Sequence, residues 1–228
     1  MGNAYILMLC PILKKIKQTN LLMNATRLIY TFLFILTFSS CINMTDPKRQ
    51  AEYIEYRNSF DTSLVGHIPT KIPNNMINMG YASLEYLQEP EDYAGMHITI
   101  KIGDNESYKK QKEEYQKKAL YIKSSLDSNL LVINTYGELE SGISRIRETE
   151  LMLPVPQYAI YSADDSTQIW KRNTNEEIII LDYSFKDLLK RDDSNRRTDL
   201  PLKYSRGYST GITFNNKELT IKYWMIVW

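Results

Sequence analysis

Proton transfer near neutral pH and metal ligation are tasks best suited to imidazole, and the chain offers two, His67 and His97. They lie in different predicted elements and share no HxxxH or HExxH spacing that would place both on one helical face. Either could act as a ligand or base. His97 alternates with apolar residues in a strand pattern, so an ordinary surface histidine is the expectation there. Carboxylates cluster at Glu89, Glu91 and Asp92, at Asp164 and Asp165, and at Asp192 and Asp193. Such oxygens could hold calcium, yet none has the alternating spacing of an EF-hand loop, and solvated loop tips are the expectation. A glycosidase needs two carboxylates at a defined separation, and among 27 acidic residues no pattern nominates a pair. The chain lacks GxxxxGK[ST] and GxGxxG, which disfavours the phosphate-cradling loops. Gly207-Tyr208-Ser209-Thr210-Gly211 matches GxSxG in its letters, but a nucleophile elbow needs a turn from strand to helix, and these residues open a predicted strand. No catalytic residue, metal site or cofactor is therefore expected.

One segment combines groups that bind ligands: Tyr204-Ser205-Arg206-Gly207-Tyr208-Ser209-Thr210-Gly211. Arg206 and backbone amides could hold an anion or a sugar, with Tyr204, Tyr208 and the later Trp224 as aromatic surfaces. The same residues also fit a glycine-bulged entry into a strand, which is the expectation. Fifteen of the seventeen tyrosines follow Cys41. They suit sugar stacking or a protein interface, and equally the half-buried positions of strands.

The elements that must position these groups follow from periodicity. Tyr53, Tyr56, Phe60 and Leu64 share one helical face, ending at Gly66 and Pro69; the prolines at 69 and 73 make residues 68–75 extended and irregular. A short helix is expected over 81–88, stopped by Pro90. Met96, Ile98, Ile100 and Ile102 alternate with polar residues as a half-buried strand. After Gly103, capped by Asp104 or Asn105, one long helix is expected to run to Leu126, with its Lys/Glu face in solvent. Residues 130–135 and 178–183 read as strands, the second near the centre of a sheet. Pro154 and Pro156 exclude a helix, 157–162 read as extended, and 186–197 as a charged loop. Tyr208–Phe214 and Leu219–Val227 are two strands joined through Asn215-Asn216, which tolerate positive φ. The last strand is apolar on both faces, so it is central or covered. The fold class expected is α+β: a mainly antiparallel sheet with one long helix and shorter helices against one face, closed by a C-terminal β-hairpin.

Upstream, Arg27 precedes an apolar run of eleven residues, Leu28 to Phe38, followed by Ser39, Ser40 and Cys41. The run is too short for a bilayer, which needs roughly 20 residues, and suits an export signal. This stretch resembles the lipobox of bacterial lipoproteins, in which signal peptidase II cleaves before a cysteine that then carries the acyl chains. Phe38 departs from the pattern, which usually has leucine or another aliphatic residue there. The resemblance implies a lipidated, palmitate-bearing Cys41. It also implies an outer-membrane address, because Ile42 and Asn43 follow in place of the aspartate that retains such proteins at the inner membrane. A plain N-terminal membrane anchor with an incidental thiol is the competing reading.

The expected organisation is an upstream extension over 1–22, a signal peptide over 23–40, a lipidated cysteine and tether over 41–48, and one domain over 49–228. Met23 is the expected start, because the apolar run Tyr5 to Leu13 precedes Lys14, Lys15 and Lys17 instead of following them. Removing these three lysines and Arg27 from the 28 bases leaves 24 against 27 acids, a net charge of about −3. No basic excess supports nucleic-acid binding. Both cysteines, Cys10 and Cys41, lie in the N-terminal segment, so the domain has neither disulfide nor thiol chemistry. Composition and signal together resemble the small envelope lipoproteins of gut-type Gram-negative bacteria. The expectation is a non-catalytic cell-envelope module, anchored to the membrane by lipid, whose partner is an envelope protein or a glycan. A periplasmic inhibitor or immunity protein, or a carboxylate-dependent hydrolase, are the alternatives.

Overall fold

The computed structural model describes residues 46–84, 93–133, 151–164, 169–188 and 200–228. Cys41 and most of the acidic clusters therefore lie outside the described residues. At the start of the described chain, the Asp46 carboxylate accepts the Lys48 N–H at 3.0 Å and caps helix α1, Pro47–Asn58. Pro47, expected in a tether, occupies the first turn, where its missing N–H costs nothing. The expected face from Tyr53 to Leu64 is split in two. Ser59 Oγ turns back to the Tyr56 carbonyl at 2.7 Å, and Asp61 accepts from Ser63 N at 2.8 Å to start a second helix, α2, Thr62–Val65. Such local side-chain bonds compete with a continuous helix.

Strand β1, Met76–Ala82, takes residues 76–80, for which the sequence predicts no element, and the start of the helix expected over 81–88. It pairs along its length with β2, Ala94–Lys101, and this pairing overrides local preference in Tyr81 and Ala82. Helix α3, Asn105–Gln116, is capped by Asp104, which accepts from Ser107 N at 2.8 Å. It ends ten residues before Leu126. There Leu120 N donates to the Ile180 carbonyl at 2.9 Å and the chain becomes strand β3, Tyr121–Ser124. Helices α1 and α3 are thus equal at twelve residues, and neither is a single long helix.

Next come the parallel pair β4, Leu130–Ile133, and β5, Leu153–Pro156, then one helical turn, α4, Gln157–Ile160, where extended chain was expected. Strands β6, Tyr161–Asp164, and β7, Ile169–Arg172, form an antiparallel pair. Strands β8, Glu176–Ser184, β9, Tyr208–Asn215, and β10, Thr220–Val227, complete the order. Between β9 and β10 the positive φ, 54°, falls at Leu219 and not at the asparagines. Asn215 contributes differently, its Oδ1 accepting from Lys217 N at 3.1 Å and Glu218 N at 3.0 Å.

The main sheet runs β1-β2-β10-β9-β8-β3 with every neighbouring pair antiparallel, an α+β architecture. Strand β10 is central, and β8 is one strand from the edge. One face of β10, through Tyr223, meets α3, where Tyr115 lies 5.9 Å from Tyr223 and Tyr108 lies 5.7 Å from Phe214 of β9. The other face carries Trp224, Ile226 and Trp228 into two clusters with β4, β5 and α4. Covering both faces explains why the final strand is apolar on both sides.

Candidate functional site

The sheet face covered by β5 and α4, opposite α3, carries several buried polar groups. Lys222 stands on it beside Thr99 of β2 and Thr213 of β9, its direct cross-strand partners. Its Nζ donates to the Tyr158 carbonyl at 2.7 Å, Thr213 Oγ1 to the Ala159 carbonyl at 3.0 Å, and Ser209 Oγ to the Pro154 carbonyl at 2.7 Å. Three sheet side chains thereby satisfy carbonyls of β5 and of the last turn of α4, groups that a helix end leaves without partners. Burial pushes the Lys222 ammonium below its usual pKa, opposed by Glu176 and Glu218.

His97 does not sit on an open polar surface. Its ring stacks 4.7 Å from Tyr158 and lies against Gly80, where a Cβ would come within 2.7 Å of the ring. Burial, and then Lys222, lower its pKa to about 4. His67 donates from Nε2 to the Trp224 carbonyl at 2.9 Å, and burial lowers it to about 4 as well. Both rings are neutral at pH 7 and act in packing. Among the described residues no group of three or more His, Cys, Asp or Glu side chains could hold a metal ion.

At one end of the sheet a polar groove of about 420 Å³ opens between β3, the turn into β8 and the turn into β10. Ile122 and Ser124 line it from β3, Thr174 and Asn175 from the turn into β8, Glu176 from the first position of β8, and Asn216 from the other turn. Burial raises the Glu176 pKa, opposed by Lys222 and by the amides of Asn173 and Asn215. Its neighbour Glu177 also reaches the groove, but successive strand residues face opposite ways. Glu177 turns to α3, bonding Lys112 at 3.1 Å and Gln116 at 2.9 Å, so the two carboxylates do not form a facing pair. A second cavity, about 360 Å³, is walled by Phe60, Leu64, Leu84, Leu188 and Val227. The Asp61 carboxylate at its rim is occupied in capping α2.

The four residues proposed from sequence for ligand binding do not converge. Tyr204 is fully buried against Phe185, and the Trp228 indole donates to its carbonyl at 2.9 Å. Trp224 is fully buried in the other cluster, with Nε1 donating to Thr213 Oγ1 at 3.1 Å. Tyr208 is half-buried and donates to Asp182 at 2.9 Å. Arg206 pairs with Asp187 at 3.5 Å. Gly207 is a close-approach glycine and not a bulge: it exchanges both backbone hydrogen bonds with Trp228 at 3.0 Å, and a Cβ there would collide with the Ser184 carbonyl.

Sequence reasoning missed the Lys222 latch, although a lysine on the same face as Trp224 and Trp228 was a visible signal. The groove had no signal, because three separate stretches build it. Among the described residues no helix is long and apolar enough to cross a membrane. No protein-family model, no curated protein and no solved structure matches the chain.

Proposed function

We propose that the protein is a non-catalytic module of the bacterial cell envelope, held in the outer membrane by acyl chains on Cys41. Its α+β domain, with the C-terminal β-hairpin at its centre, binds an envelope protein or a glycan. The observation that carries this reading is the order Arg27, Leu28 to Phe38, Ser39, Ser40, Cys41, with polar sequence following at once. The start of the domain supports it: Asp46 caps α1 only five residues beyond Cys41. An extended chain of that length reaches about 17 Å, which keeps the domain at the lipid surface. Two or three acyl chains, at about 0.8 kcal/mol per buried methylene, anchor far more firmly than one.

Labelled palmitate and detergent-phase partitioning of wild type and Cys41→Ser test the anchor. The wild type takes up label and partitions with detergent, and the variant does neither. Equal uptake by the two would sink the lipoprotein reading.

A further inference from the structure

We propose that the polar groove at the end of the sheet is the ligand site of this module, and that it takes a neutral, hydroxyl-rich sugar, as at the end or in a short stretch of a glycan. The proposal rests on the binding-module reading and names its site and ligand class. At about 420 Å³ the groove falls within the range of small-ligand sites, roughly 300–1,000 Å³.

Charge identifies the class. The cation and the outward carboxylate of the groove are already neutralised within the protein: Lys123 pairs with Asp127 at 3.0 Å, and Glu177 with Lys112 at 3.1 Å. Glu176 is only 7% exposed, and one of its oxygens takes the Asn173 amide at 2.8 Å. An ionic ligand would have to break these pairs or face a buried charge. The remaining lining is of hydroxyls, on Ser124 and Thr174, and carboxamides, on Asn175 and Asn216. Each both donates and accepts, which is the complement of vicinal sugar hydroxyls.

Asn216 is also oriented in advance. Its Oδ1 accepts from the Lys112 ammonium at 3.1 Å and from the Tyr108 hydroxyl at 3.2 Å. Lysine can only donate, so the atom facing it is the oxygen, and the NH₂ group is left as a positioned donor. Fixing such a donor before binding lowers the entropy cost of association. Ile122, 44% exposed, supplies an apolar wall for the C–H face of a sugar ring.

The test is calorimetric titration of the full lipidated chain, in a sugar-free detergent, with maltotriose, cellotriose and N-acetylchitotriose up to about 10 mM. At least one trisaccharide binds saturably. Thr174→Val with Asn175→Ala, both on an exposed turn, weakens it roughly tenfold or more, while Tyr208→Phe leaves it unchanged. Absence of saturable binding overturns the proposal, as does binding that the double variant does not weaken. Capture of a stoichiometric envelope protein that the double variant abolishes also overturns the sugar assignment, leaving the module reading in place. That reading fails separately, if Cys41→Ser takes up as much palmitate as wild type.

Discussion

The Nζ of Lys222 lies 2.7 Å from the carbonyl oxygen of Tyr158, so a donor on the central strand holds the last turn of α4 against the sheet. Lys222→Met keeps the aliphatic stem and removes the donor, leaving a carbonyl without its partner. The expected cost is about 1–3 kcal/mol, read as a lower urea midpoint with an unchanged slope. An unchanged midpoint would mean that the latch contributes nothing to stability.

Acid should weaken the fold through its two buried histidines. His67 and His97 each have a folded pKa of about 4 against an ordinary 6.5, chiefly through burial. The unfolded chain therefore binds protons first as the pH falls. The stability gained from burying neutral rings is complete above pH 6.5 and is lost as the pH drops toward 4. Hydrogen bonds from Ser63 and Ser107 hold the carboxyls of the caps Asp61 and Asp104 below the usual aspartate range, so their contribution is lost lower still. Thermal unfolding between pH 7.5 and 4.5 should show a falling Tm, with a shallower slope in His97→Phe, which keeps a ring on Tyr158. A flat profile in the wild type would contradict the burial of both rings.

Gly211 faces Trp224 across β9 and β10, and the indole occupies the space a side chain would need. A Cβ at Gly211 would run into the Ile179 carbonyl and the Trp224 ring, so Gly211→Ala should cost at least about 2 kcal/mol. Gly103→Ala is the control. Nothing lies within 4 Å of its Cβ position, and its effect should stay within about 0.5 kcal/mol. Equal unfolding midpoints for the two variants would show that the packing at Gly211 can yield.

Ending the chain after Tyr223 removes Trp224, Met225, Ile226, Val227 and Trp228, all at or below 1% exposure. It also leaves β2 and β9 without half of their shared neighbour. The truncated chain should lack a cooperative thermal transition and be cut rapidly by trypsin. A truncated protein that melts at the wild-type Tm would refute the central placement of β10.

The reach of the sequence is clearest in β2 and β10. Alternation from Met96 to Ile102, and the two apolar faces from Leu219 to Trp228, are local patterns with local causes, and they located two strands; β2, expected to be half-buried, is covered on both faces as far as Ile100. Capping was legible at Asp104 for the same reason, since the bond to Ser107 spans three residues. Tyr81, Tyr121 and Ile122 were misread because their state is set by a distant strand. Tyr121 pairs with Ile180, and β1 exists only against β2. A helical pattern of tyrosines and lysines cannot record that a sheet edge captures the chain after Gln116.

The amino-acid sequence by itself determined the apolar run before Cys41, the absence of thiol chemistry from the domain and the α+β class. Only tertiary structure decided which polar residues share a neighbourhood. Tyr204 and Trp224 went into separate cores, because a fully buried aromatic contributes more through the area it removes from water than as an exposed platform. Lys222 was drawn to a carbonyl 64 positions away in sequence, and Asn216 was oriented by Tyr108 and Lys112, more than a hundred positions away. Hydrogen bonds over such separations form only once the sheet has set its register, so no local pattern can encode them.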